Sequence, residues 1–190
     1  MARERADARR NRDRLLDAAR DAFRRGGENL QLADVARAAG VGVSSVHRHF
    51  PTRESLLETL AREHFAELIA VAERALDLPD PFGATAVMLR ELLDAQLGLH
   101  GMSAVLTAAV DVQPETTQAK ARLDLAIGAV LGRAQQAHLV RPEVSAADLR
   151  HLIGGIELSR DRRDPAATER AYLHLAIVLD GLRPAPGGMT

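Results

Sequence analysis

The sequence predicts an all-α fold: an N-terminal three-helix domain holding a helix-turn-helix, a long fourth helix, and a helical C-terminal domain, about nine helices in all. Three observations predict it. Apolar residues recur at helical spacing along nearly the whole chain. Most of the prolines, among them Pro51, Pro79, Pro81, Pro114, Pro142 and Pro165, fall between those apolar runs, which reads as helix, break, helix. No stretch alternates apolar and polar residues for long, and no Asn-Gly hairpin signal occurs, so a sheet is not expected. The 190 residues are 46% apolar, enough for a real core, but only 3% aromatic, so that core must rest on Leu, Ala, Val and Ile.

Taken in order, residues 1–10 are polar and read as an arm carrying Arg3, Arg5, Arg9 and Arg10. The first helix reads from about Arg12 to Arg24, with Leu15, Leu16, Ala19, Ala22 and Phe23 on one face and Gly26-Gly27 stopping it. The second covers Leu32–Ala39 and turns Leu32, Val35, Ala36 and Ala39 inward. The third covers Val43–His49, with Val46 inward and Phe50 closing it. A fourth runs to about Leu76, opened by Thr52, whose hydroxyl can accept from a free N–H, and by Glu54, which suits the first turn. Beyond the break at Leu78-Pro79-Asp80-Pro81, helical patterns follow at 82–100, 103–112, 115–138, 145–159 and 166–182. The expected domains are 1–53 for the head and 54–190 for the body.

Three residues set the angle between the second and third helices. Ala36 is small and allows close approach, Gly40 falls where the turn needs positive φ, and Val46 packs back between the helices. Counted from Leu32 they stand at positions 5, 9 and 15, the spacing of a helix-turn-helix. The second helix of such a unit enters the DNA major groove, and its early outward residues here are Ser44, Ser45, His47, Arg48 and His49. Arg48 can pair with guanine or clamp a phosphate; the alternative is a solvated surface charge. His47 and His49 are two apart, a spacing that suits neither a shared helix face nor zinc, and His49 is expected beside Phe50.

Charge agrees with that reading. Residues 1–53 hold twelve arginines and no lysine against seven acids, a net of +5, which leaves −6 for the remainder. A basic head on an acidic body suits a polyanionic partner, although arginine-rich termini also occur as solvated tails. With no cysteine, disulfides and thiolate-held metals are excluded. No signal peptide and no apolar run of about 20 residues is visible, so a cytoplasmic protein without a membrane partner is expected. An enzyme is not expected: there is no glycine-rich phosphate loop, no nucleophile elbow and no His-Glu-x-x-His, and no cofactor is implied.

The stretch VARAAGVGVSSVHRHFPTRESLLETL, residues 35–60, resembles the TetR family of bacterial transcriptional regulators, and the likeness extends back through LLDAARDAF to cover residues 12–60. A second stretch, GRAQQAHLVRPEVSAADLRHLIGG at 132–155, is similar to C-terminal domains of actinobacterial members. The resemblance implies a homodimer on two half-sites of a near-palindromic operator, and a body that dimerises and binds a small-molecule effector which releases the DNA. The alternative is a dimer that binds DNA without an effector. Carried over by position, the DNA contacts implied are Gln31, Ser44, Ser45, His47, Arg48, His49, Thr52 and Arg53. Three places depart from the family pattern: His47 stands where Tyr is usual, Gly42-Val43-Ser44-Ser45 replaces Ser-x-Gly-Thr, and Gln31 replaces a Thr cap.

In the body, the resemblance points to the last two helices as the dimer face. Leu149, Leu152, Ile153 and Ile156 form one stripe there, and Tyr172, Leu175, Val178, Leu179 and Leu182 a second; an ordinary internal core is the alternative. Gly154-Gly155 interrupt the first at about 1 kcal/mol each relative to Ala, which close helix approach would offset. Met88, Leu92, Gln96 and His100 lie four apart, placing two polar groups on an apolar line suited to orienting a small molecule. Leu123 and Ile127 would face it, and Met102 and Leu106 would close its end. The alternative places Gln96 and His100 on a helix edge at the surface.

Overall fold

The computed structural model describes residues 12–22, 31–98, 102–161 and 163–184, and among them it holds nine helices and no strand. Helix α1 takes residues 12–22, α2 Leu32–Ala39, α3 Val43–His49, α4 Arg53–Ala75 and α5 Pro81–Gly98. Helix α6 takes Met102–Thr107, α7 Pro114–Gln136, α8 Ala146–Leu158 and α9 Ala167–Leu182. The arm at 1–10, Phe23, the Gly26-Gly27 stop and His100 lie outside the described residues.

Local chemistry explains where these helices start. Thr52 Oγ1 accepts from the Ser55 N–H at 3.1 Å, and Ser55 Oγ accepts from the Thr52 N–H at 3.2 Å, so each satisfies a donor that the first turn of α4 leaves open. Ser145 and Asp148 do the same for α8, at 3.1 and 2.9 Å. The Ser145 hydroxyl and N–H both bond the Asp148 carboxylate and hold its pKa below the usual carboxylate value. Pro114 opens α7 at a position where its missing N–H costs nothing. At the far end of α4, Arg133 of α7 donates to the Leu76 and Leu78 carbonyls at 2.6 and 2.9 Å, placing a cation where a helix leaves its acceptors bare.

One apolar cluster joins head and body. It runs from Leu15, Val35, Val46 and Phe50 through Leu56, Phe65 and Leu68 of α4 to Met88, Leu92, Leu123, Ile127, Leu149, Ile153 and Leu175. Helix α4 therefore belongs to both parts. Its first turns close the head, and its remainder packs along α7 and α5.

The sixth helix is shorter than the apolar pattern over 103–112 predicts. It ends at Thr107, and residues 108–113 run without helix to Pro114. Pro114 disfavours a helical conformation in the residue before it. Partners far along the chain hold the rest. The Lys120 ammonium bonds the Ala108 carbonyl at 3.1 Å and Asp111 at 2.5 Å, and Glu58 of α4 takes the N–H groups of Val112 and Gln113.

A DNA-reading head tied to a helical body

The head is built as its three spacing residues require. Ala36 and Val46 are buried, and Gly40 caps α2 in the left-handed conformation at φ +66°. A Cβ at Gly40 would meet nothing within 4 Å, so conformation rather than space demands glycine there. The Val41 N–H closes the turn on the Ala36 carbonyl at 3.0 Å. Gln31 is the N-cap of α2, and Asp34 accepts its N–H at 3.3 Å, supplying the return half of a capping pair.

Helix α3 then stands with one buried residue, Val46, and a polar outer face. Ser44, His47 and Arg48 are exposed, while Ser45 and His49 are half-buried. No acidic residue lies on this helix. His49 packs beside Phe50, ring centroids 6.4 Å apart, as its position beside that ring suggests. His47 Nδ1 lies 3.3 Å from the Pro51 carbonyl. Thr52 is exposed and Arg53 half-buried at the start of α4, on the same side of the junction in sequence. Val43 is 42% exposed one helical turn before His47.

Arg20 of α1 bonds Glu63 of α4 at 2.5 Å and ties the head to the body. Within the head, the Arg12 guanidinium lies 5.7 Å from the Phe50 ring centroid. Just below the head lies a polar seam that no local pattern signals. The buried Glu58 carboxylate accepts from the N–H of Val112 at 2.6 Å, the N–H of Gln113 at 2.8 Å and the Thr116 hydroxyl at 2.9 Å. The Gln113 amide donates to the Ser55 carbonyl at 2.6 Å and to Thr59 Oγ1 at 3.2 Å, and accepts from Arg62 at 2.7 Å. The α6–α7 connection is thus bonded to the first two turns after the head.

In the body, the residues singled out for a ligand come together in the interior. Met88, Leu92, Leu106, Leu123 and Ile127 are all buried in the shared core. Gln96 is also buried, which overturns the surface-edge alternative: its Oε1 accepts the Ser103 hydroxyl at 2.8 Å. Met102 lies in α6, and His100 is outside the described residues. Around this interior stand polar groups the sequence pattern missed. Arg150 of α8 is buried, donates to both Asp124 oxygens at 2.8 and 3.2 Å and also bonds the Leu106 carbonyl. A Cβ on Gly154 would lie 2.5 Å from Thr107 Cγ2, so this glycine lets α6 and α8 touch.

The expected dimer stripes divide. Leu149, Ile153, Ile156 and Leu175 are buried in the protomer's own core, so they form no outward face. Leu179 is half-buried against that core. Tyr172 turns to α5, where its hydroxyl bonds Asp94 at 2.5 Å under the Arg90 guanidinium, and that carboxylate pushes the phenol pKa up. The exposed apolar side chains of these helices are Leu152, Leu158, Leu173 and Ile177. A groove of about 580 Å³ runs here between α8 and α9, lined by Asp148, His151, Leu152, Gly155, Ile156, Ser159 and His174.

Among the described residues no cluster of His, Asp or Glu is arranged to hold a metal, and no helix is long and apolar enough to cross a membrane. The fold and the head define a helix-turn-helix DNA-binding regulator. Residues 15–60 match the family model for bacterial regulatory proteins of the tetR family, and residues 80–184 match that for the SbtR-like transcriptional regulator C-terminal domain. The chain belongs to the TetR family of bacterial transcriptional regulators.

A TetR transcriptional regulator of Streptomyces coelicolor is 32% identical, with 92% of this chain and 99% of that one aligned at a TM-score of 0.53. The HTH-type transcriptional repressor LfrR of Mycolicibacterium smegmatis is 44% identical over 69 residues, 36% of this chain and 34% of that protein, so the match spans about a third of that relative. Thermus thermophilus FadR, a TetR-family repressor solved with lauroyl-CoA, shares the fold at 22% identity and a TM-score of 0.56, over 93% of this chain and all of that one.

Proposed function

We propose that the chain is a dimeric repressor that binds two half-sites of a near-palindromic operator and leaves it when a small molecule enters the body. The polar seam carries this reading. Glu58 and Gln113 bond the end of the α6–α7 connection to α4 within two turns of the head. A shift of α6 would therefore reach the head through bonded groups rather than through loose packing. The half of the reading that concerns repression draws support from LfrR, and the effector half from the FadR complex.

In this reading Arg48, His47 and Ser44 meet the duplex first, with Ser45 and His49 behind them. Gln31, Thr52 and Arg53 meet the backbone at its flanks. Val43 is placed to touch a thymine methyl. The effector would lie among Met88, Leu92, Gln96, Leu106, Leu123 and Ile127. The partner protomer would cover Leu152, Leu173 and Ile177.

One observation favours the second reading, an effector-independent dimer. The side chains proposed for the effector already pack as core, with Met88 at 0% and Leu123 and Ile127 at 1% exposure. Selection of bound duplexes from a random pool, followed by mass spectrometry of small molecules released from the purified protein, tests both. The proposal expects a two-half-site consensus and a released compound that lowers affinity for it. An enriched single half-site contradicts the dimeric reader, and a two-half-site consensus with no released or responsive compound favours the second reading.

A further inference from the structure

We propose that His47 couples DNA binding to the uptake of a proton, acting as a phosphate clamp that works only when its ring is charged. The inference rests on the reading of α3 as the helix that meets DNA and goes one step beyond it, to the state of one ring nitrogen.

His47 Nδ1 lies 3.3 Å from the Pro51 carbonyl oxygen. A carbonyl can only accept, so the hydrogen bond requires the proton on Nδ1. In the neutral ring Nε2, on the far side, then carries a lone pair. His47 as a residue is exposed, so Nε2 is the atom left for a partner outside the protein. A phosphate oxygen also brings only lone pairs. Neutral His47 and a phosphate therefore repel, and a second proton on Nε2 turns the same geometry into a charge-assisted bond. Imidazole is the side chain that makes this change near neutral pH.

The tether decides between backbone and base. Pro51 follows α3 and precedes Thr52 and Arg53 at the start of α4, so the bond holds the ring toward the α3–α4 junction rather than leaving it to swing along the groove floor. The charged groups on the surrounding elements are Arg48 and His49 on α3, Asp34 and Arg37 on α2, Arg53 and Glu54 at the start of α4, and Arg12, Asp13, Arg14, Asp17, Arg20 and Asp21 on α1. None of them forms an ion pair with His47; Asp34 is taken by Arg37 at 2.9 Å. Among the described residues no carboxylate forms an ion pair with His47, and the phosphate is the anion that would favour the charged ring.

Because a phosphate favours the charged ring, binding takes up a proton, and affinity rises as pH falls.

The test measures fluorescence anisotropy of a mixed-sequence 30-base-pair duplex with the full chain between pH 8 and 6 at fixed ionic strength. Wild type, His47→Gln, His49→Gln and Arg48→Ala are compared. The proposal expects binding to tighten by about tenfold or more toward pH 6 for wild type and His49→Gln, with most of that slope lost in His47→Gln. An equal slope in His47→Gln overturns it, as does binding that weakens toward pH 6, which would mark Nε2 as an acceptor reading a base. Selective ¹⁵N-histidine spectra of the free protein give a second readout: an Nδ1–H ring is expected for His47, and an Nε2–H ring overturns the tautomer. If Arg48→Ala binds like wild type at every pH, the reading of α3 itself has failed, whatever the slope.

Discussion

Replacing Glu58 by alanine tests the seam between head and body. The carboxylate is 4% exposed and accepts three bonds, from the Val112 and Gln113 N–H groups and from the Thr116 hydroxyl. A hydrogen bond to a charged group contributes about 1.5–3 kcal/mol. The three do not add in full. Val112 is 54% exposed, so its N–H can turn to water, whereas the Thr116 side chain is buried and has nowhere to turn. A net cost of about 3–5 kcal/mol follows for a buried charged acceptor whose partners are left behind. For a chain of this length each kcal/mol moves Tm by about 2–4 °C, so Glu58→Ala should lower it by roughly 6–20 °C. Glu58→Gln keeps one acceptor oxygen and the same shape, and should fall about a third to a half as far. The assay is thermal unfolding followed by circular dichroism, with protein concentrations matched because any self-association also shifts Tm. A Glu58→Ala melt within about 2 °C of wild type would refute the seam as a structural tie.

Other predictions rest on different parts of the molecule. Gly154→Ala places a methyl group 2.5 Å from Thr107 Cγ2; overpacking costs about 1–3 kcal/mol against about 1 gained from helix propensity. Thr107→Ser removes that methyl but keeps the hydroxyl that bonds the Ser103 carbonyl, so in urea unfolding the double variant should be more stable than Gly154→Ala alone, and no rescue would contradict the contact. Ser145→Ala should lower Tm at pH 7, where Asp148 is ionised and held by Ser145. Because the folded pKa of Asp148 is depressed, that stabilisation is present above the ordinary carboxylate value and lost as pH falls through the folded one; the deficit of the variant should narrow there, and a pH-independent deficit would count against the pairing. Leu173→Glu with Ile177→Glu, at residues 58% and 61% exposed, should leave the helical content intact and halve the mass measured by light scattering. An unchanged dimer would move the interface elsewhere.

The head was legible because its geometry is set by neighbours in sequence. Ala36, Gly40 and Val46 act within fifteen residues of each other, and α2 and α3 have the bounds their pattern predicts. The rest depends on partners far along the chain. The apolar run after Ser103 looks helical to its end, but Glu58, more than fifty residues earlier, and Lys120 hold residues 108–113 in another shape. Gln96 looked like a helix edge until Ser103, on the next helix, supplied its partner. Periodicity groups Leu149, Leu152, Ile153 and Ile156 on one side of α8. It cannot say whether that side meets the protomer's own core or a second copy, and Leu149 and Ile153 meet the core while Leu152 does not.

The proposed role of α3 as the helix that reads DNA is tested most directly by the affinity of wild type and Arg48→Ala for a duplex selected by the wild-type protein, at one fixed salt concentration and with oligomeric mass measured on the same samples. Arg48 is exposed and has no part in the core, so the variant should keep its fold and mass. A loss of about 1–3 kcal/mol is expected, roughly fivefold to more than a hundredfold in affinity. Unchanged affinity in Arg48→Ala would contradict it.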